Sequence, residues 1–157
     1  ISSLSEKELT LLRRQKVGFI FQAFNLIATL NARENIALPQ RLAGRRPDPE
    51  WFNTVVETVG LADRLEHRPS ELSGGQQQRV AVARALAGRP DMCFADEPTG
   101  NLDSTTGHEI LAFMRNAVDE LGQTIVMVTH DPSLSALADR AMHIETGRLK
   151  PGATTTD

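Results

Sequence analysis

The run ELSGGQQQRVAVARALAGRPDMCFADEPTGNLD, Glu71 to Asp103, decides the fold. Ser73 stands three residues before Gln76, the spacing of a capping box. The apolar positions behind it continue a helix that Gly88 and Pro90 end. MCFA, Met92 to Ala95, is a short apolar run of buried-strand type that delivers Asp96 and Glu97 at its carboxyl end. Gly74 and Gly75 let backbone N–H groups approach an anion, and the helix behind them points its positive end at the same place. Asp96 suits Mg²⁺, which takes oxygen ligands and keeps several waters. Glu97 suits a base that takes a proton from water attacking a phosphate. Each half also has a plainer reading: a capped helix after a glycine turn, and a solvated turn with two acids. The plain helix leaves Gln76, Gln77, Gln78 and Arg79 unexplained.

Outward from this run the chain alternates strands and helices. Ser5 and Glu8 cap a helix over the first 16 residues. VGFIF, Val17 to Phe21, is a buried strand, and residues 22–44 read as a loop and then a helix. Asp48 and Pro49 open a helix with Trp51, Val55 and Val59 on one face and Gly60 as its stop. A helix spans about Thr105 to Leu121, with Ile110, Met114, Ala117, Val118 and Leu121 as its apolar stripe. TIVMVT, Thr124 to Thr129, is a buried strand. Asp131-Pro132 opens another helix, Ala141 to Thr146 is a last strand, and GRLKPG is a turn into a flexible tail, 152–157. This order is α/β with a parallel sheet. The stretch between Gln22 and Ser73 is too long for one crossover and reads as an inserted helical lobe.

The 157 residues fit one domain, and 40% apolar with 24% charged residues is ordinary globular composition. A net charge of −3 argues against a general nucleic-acid binder. The single cysteine, Cys93, excludes an internal disulfide and is assigned to packing. No apolar run reaches the length of a membrane span, and the N-terminus lacks the apolar core of a signal peptide. His67, His108 and His143 lack metal-ligand spacing and are assigned to surface or packing. Trp51 and Phe52 are assigned to the lobe core, with a partner contact as the alternative. GRRPD, Gly44 to Asp48, reads as a solvated loop.

Taken together, LSGGQQQRVAVARAL and FADEPTGNLD resemble the ABC-type ATPase domain. Ser73, Gly74, Gly75 and Gln76 match its signature, Asp96 and Glu97 its Walker B acid and catalytic glutamate, and Asp103 its D-loop. His130 matches the switch histidine and Gln22 the Q-loop glutamine. ADEPTGNLD and LNARENIALP look most like the group that includes lipoprotein-releasing, macrolide-export-type and cell-division members. The resemblance implies ATP and Mg²⁺ as cofactors, with the ATP sandwiched between two head-to-tail domains. It also implies an integral-membrane permease partner and a place on the cytoplasmic, inner face of the membrane. Asp96 and Gln22 would serve the metal, Glu97 and His130 the γ-phosphate, and Asp103 would cross the dimer interface.

The family's phosphate cradle, G-x-x-x-x-G-K-[S/T], is not in this sequence: Lys7, Lys16 and Lys150 follow no such loop. The expected fold is therefore a P-loop NTPase-type parallel sheet core, 1–22 and 87–151, with a helical lobe, 23–86, and without the Walker A strand and N-terminal antiparallel sheet. A truncated chain is expected, inactive alone, with the alternative that it donates its signature in trans to an intact partner's ATP. Without the Walker A strand, Thr124–Thr129 is expected to pair directly with Ala141–Thr146 or with another chain, and not to stand as an unpaired edge.

Overall fold

A computed structural model describes residues 4–149. Five helices form where the sequence places caps. In α1, Glu6–Lys16, the Ser5 hydroxyl accepts from the Glu8 N–H at 3.4 Å while the Glu8 carboxylate accepts from the Ser5 N–H at 2.8 Å. Asn31 and Glu34 make the same reciprocal pair at the start of α2, Ala32–Leu42, a box the sequence reading passed over. Asp48 and Pro49 open α3, Pro49–Thr58, as expected. Ser73 and Gln76 open α4, Gly74–Ala87, and Asp103 caps α5, Ser104–Leu121, which Gly122 ends at φ 64°.

The strands β1 (Val17–Phe21), β2 (Met92–Asp96) and β3 (Ile125–Val128) pair in parallel in the order β1-β2-β3. Phe21 lies opposite Asp96, and Asp96 opposite Val128, so the three carboxyl ends are in register. One face of the sheet is core. Gly18, Ile20, Cys93 and Ala95 are buried on it, and α4 lies so close that a side-chain carbon on Gly18 would meet the Ala85 carbonyl at 2.7 Å. Burial pushes the Cys93 thiol up to about 12, which fits a packing role and not a reactive one. The other face is open: Phe19, Phe21, Phe94 and Val128 are exposed, with Phe19 stacked on Phe21 and Phe94 at 5.8 and 6.0 Å. Parallel sheets are ordinarily covered on both faces.

Within the stretch 23–86, α2 and α3 pack onto α4, which also contacts β1 and α5. The signature helix therefore joins lobe and sheet. Inside the lobe, the fully buried Asn35 amide donates to the carbonyls of Ile27, Leu30 and Asn31 and accepts from the Ile27 N–H. One side chain thereby shapes the loop that follows Gln22.

Three expectations are corrected. The segment after Asp131-Pro132 is a 3-10 helix, Pro132–Leu137, with only Leu134 buried, too little apolar surface to hold a longer α-helix. Ala141–Thr146 does not form one strand beside β3. Ile144–Glu145 (β4) pairs antiparallel with Arg148–Leu149 (β5), where a turn alone was expected. Thr146 and Gly147, both at positive φ (49° and 74°), give the two-residue turn that suits such a hairpin. Ile144 and Leu149 are exposed, so no apolar contact draws this hairpin to the sheet. Consequently β3 is an edge strand whose outer side pairs with nothing among the described residues, and the expected pairing with Ala141–Thr146 does not form. The expected tail, 152–157, lies outside the described residues. No helix among them is long and apolar enough to cross a membrane.

Candidate functional site

The register of the sheet gathers the predicted residues. Gln22 follows Phe21 at the end of β1, Asp96 ends β2 with Glu97 next to it, and Thr129 and His130 follow β3. Glu97 extends the ladder by donating its N–H to the Val128 carbonyl at 2.9 Å, and then turns at φ 44°. A non-glycine residue in that region is held there by its surroundings. The Glu97 carboxylate accepts from the His130 N–H at 2.8 Å and meets His130 Nδ1 at 2.6 Å. Glu97 is 23% exposed and His130 85% exposed, so the acid is shielded and the imidazole reaches outward. Asp131 caps the next turn, and its carboxyl is held below the usual range, first by the Ser133 hydroxyl and then by the Ser133 N–H.

Gln22 is tied to a residue the sequence reading missed. Its Nε2 donates to Asn101 Oδ1 at 3.1 Å, and Asn101 Nδ2 donates back to the Gln22 carbonyl at 3.1 Å. Gly100 makes room, because a side-chain carbon there would lie 2.7 Å from Gln22 Nε2. No sequence spacing announces a pair 79 residues apart.

The signature residues resolve one by one. The Ser73 N–H donates to the Gln76 side chain at 2.9 Å, and the Ser73 hydroxyl accepts from the Gln76 N–H at 3.3 Å. The Gln77 amide donates to the Leu72 carbonyl. Gln78 is fully buried, and its amide donates to the Pro98 carbonyl at 2.5 Å and the Phe21 carbonyl at 3.3 Å. Arg79 pairs with Glu109 at 2.6 Å and lies over the Phe113 ring at 4.4 Å. The capping box accounts for Gln76, while Gln77, Gln78 and Arg79, which the plain capped helix left unexplained, each hold a different neighbour. At the D-loop, Asp103 accepts from the Thr106 N–H at 3.0 Å and its hydroxyl at 2.7 Å, which hold the carboxyl below its usual range.

Gly74 is exposed, as an anion cradle needs, but Gly75 is buried against α5. A side-chain carbon on Gly75 would sit 2.4 Å from Thr106 Cγ2. The Thr106 side chain cannot swing away without losing its hydroxyl bond to Asp103. Gly75→Ala is therefore expected to destabilise the chain by about 1–3 kcal/mol through overpacking, despite the better helix propensity of alanine. Thr106→Ser keeps the hydroxyl and removes Cγ2, so it should suppress most of the loss. Urea unfolding of the double-mutant cycle measures this. A neutral Gly75→Ala, or no suppression, would sink the packing account.

The ABC transporter family model matches residues 3–100, which is more than half of the chain. The chain belongs to the ABC transporter family. An uncharacterized ABC transporter ATP-binding protein of Mycobacterium tuberculosis is 48% identical over 153 residues, covering 96% of this chain and 62% of the relative. The macrolide export ATP-binding/permease protein MacB of Syntrophobacter fumaroxidans is 43% identical over 155 residues, covering 96% of this chain and 22% of MacB. An ATP-binding cassette solved as a dimer in a post-hydrolysis state with ADP and Pi superposes with a TM-score of 0.79. It is 38% identical, over 98% of this chain and 68% of that one. This ABC transporter chain thus spans about two thirds of the length of ATP-binding cassettes like these.

No group of three or more His, Cys, Asp or Glu among the described residues could hold a metal by itself. That fits Mg²⁺ all the same, since this ion is held by one or two carboxylates together with waters and phosphates. Asp96 is exposed at its strand end, and Gln22 beside it engages its amide nitrogen with Asn101, leaving the amide oxygen for a ligand.

Proposed function

We propose that this chain is the greater part of an ATP-hydrolysing subunit of an ABC transporter of export or membrane-extrusion type. It would act as one of two head-to-tail cassettes with an integral-membrane permease, on the cytoplasmic face of the membrane. The observation that carries this is the alignment of three parallel strand ends, which presents Gln22, Asp96 with Glu97, and His130 side by side. Ligand crevices of parallel α/β sheets lie outside such ends. Glu97 would take the proton of the attacking water, oriented by the His130 backbone N–H. Asp96 and Gln22 would hold Mg²⁺, which when bound neutralises phosphate charge. A largely apolar cleft lined by Phe19, Leu38, Leu42 and Phe21, the residue directly before Gln22, suits a permease contact that feels the site.

The bare aromatic sheet face and the absence of a cradle lysine support inactivity of the chain alone. Charge-assisted hydrogen bonds to phosphates contribute about 1.5–3 kcal/mol each, and losing several weakens ATP binding by orders of magnitude. The second proposal is donation in trans. At the exposed start of α4 the N–H of Gly74 has no intrahelical acceptor, as the first turn of a helix requires, and is open to a partner's nucleotide. Phosphate release should be undetectable for the purified chain. It should appear above the intact homologue's own rate on mixing, and vanish with Ser73→Arg. Glu97-dependent hydrolysis by the chain alone would refute its inactivity. No gain on mixing would refute donation in trans.

A further inference from the structure

At the amino ends of the strands, opposite the candidate ATP site, a cavity of about 380 Å³ opens between α1, the lobe and the end of α4. A five-residue strand separates the two ends by roughly 17 Å. Lys16, Arg45, Arg46 and Arg89 line this cavity, against one carboxylate, Asp48, in a chain whose net charge is −3. Lys16 is already paired with Asp91 at 3.1 Å, and Arg89 with Asp48 at 3.2 Å. The Arg45 and Arg46 guanidinium groups have no ion-pair or hydrogen-bond partner among the described residues, although the Arg45 N–H donates to the Gln40 backbone carbonyl at 2.9 Å. They belong to the segment the sequence presents as a solvated loop.

Trp51 forms an apolar wall. Its indole N–H is spent on the Leu86 carbonyl, and Arg89 lies over its ring at 4.6 Å. The floor carries a different need. Gln40 is 8% exposed; its amide nitrogen donates to the Ala87 carbonyl, and its Oε1 is buried with no donor. The pocket thus offers two free guanidinium groups, a ring, and an acceptor awaiting an N–H. A bare anion satisfies only the first. A peptide with carboxylate side chains satisfies all three, since its backbone brings N–H donors and its apolar side chains cover the ring. A flat lipid surface would not reach a floor amide.

We propose that this pocket docks an acidic peptide segment of a partner protein, at a site separate from the ATP crevice. Trp51 is the only tryptophan of the chain and reports on it directly. The probe is a capped hexapeptide of alternating glutamate and leucine, titrated against the full chain while Trp51 fluorescence is followed. Controls are the same peptide with glutamine for glutamate, inorganic phosphate, and phosphatidylserine vesicles.

A saturable change with the acidic peptide, weakened by salt, is expected, with roughly tenfold or more loss of affinity in Arg45→Glu/Arg46→Glu. Both positions are exposed and do not stack on Trp51, so fold and baseline fluorescence should persist, checked by circular dichroism. Equal binding of the glutamine peptide, or unchanged affinity in the double variant, would overturn the proposal. So would a response to phosphate or vesicles as large as that to the peptide, or no saturable response at all.

Discussion

Gln78→Glu is expected to destabilise the chain by about 3–5 kcal/mol at neutral pH, the range for a buried charge left without its partner. The side chain is fully buried, and its amide nitrogen serves two carbonyls at once, Phe21 at the end of β1 and Pro98 after β2. A carboxylate in the same place turns oxygen against oxygen. For a chain of this size the unfolding midpoint should fall by roughly 10 °C or more. Gln78→Leu removes the same two bonds but introduces no charge, so it should cost less at neutral pH.

Acid separates the two variants. The introduced carboxyl has its folded-state pKa raised, because burial and facing carbonyls disfavour the charged form. The folded state then holds a proton that the unfolded state releases above about pH 4.3. Stability relative to the parent is therefore lost as pH rises through that value, and regained below it, where a neutral acid can donate to one carbonyl. Denaturant titrations of parent and both variants at pH 7 and near pH 4 give the comparison. A pH-independent penalty equal to that of Gln78→Leu would show that the introduced carboxyl does not sit buried against the two carbonyls, and would sink this account.

The legible part of this fold is the part written in local chemistry. Capping pairs Ser5/Glu8 and Ser73/Gln76, the proline-started α3, and the apolar runs of β1, β2 and β3 each depend on neighbours in sequence, and each formed where expected. The order Gln22, Asp96, Glu97, His130 was legible for the same reason, since each residue follows a strand. What stayed hidden spans the chain. Gln22 with Asn101, Gln78 with Phe21 and Pro98, and Gly75 with Thr106 are contacts between elements, and nothing in either local sequence carries the other's position. The misplaced end had another cause. Pairing β3 with residues 141–146 assumed that an edge must be filled. A two-residue turn at Thr146-Gly147 gave that segment a nearer partner, with far less loop to close.

Glu97→Gln should lower ATP turnover about 10²- to 10⁴-fold in a full-length cassette, while leaving stability nearly unchanged. The two halves of that expectation follow from different atoms. Structurally, Glu97 is an acceptor: it takes the His130 N–H at 2.8 Å and meets Nδ1 at 2.6 Å. A glutamine oxygen accepts the same backbone bond in the same volume, and the turn at φ 44° is unchanged in its demands. Chemically, the amide cannot take a proton from water. Glu97→Ala differs on the first count, since it frees the His130 segment as well as removing the proposed base. Steady-state turnover and urea midpoints for both variants, in a fusion with the part of the Mycobacterium tuberculosis relative that this chain does not match, separate the roles. If Glu97→Gln destabilises as much as Glu97→Ala, the carboxylate is a structural tie. If Glu97→Gln leaves turnover intact, another group accepts the proton and the catalytic assignment is wrong. A rate loss without a stability loss is the result that the strand-end geometry predicts.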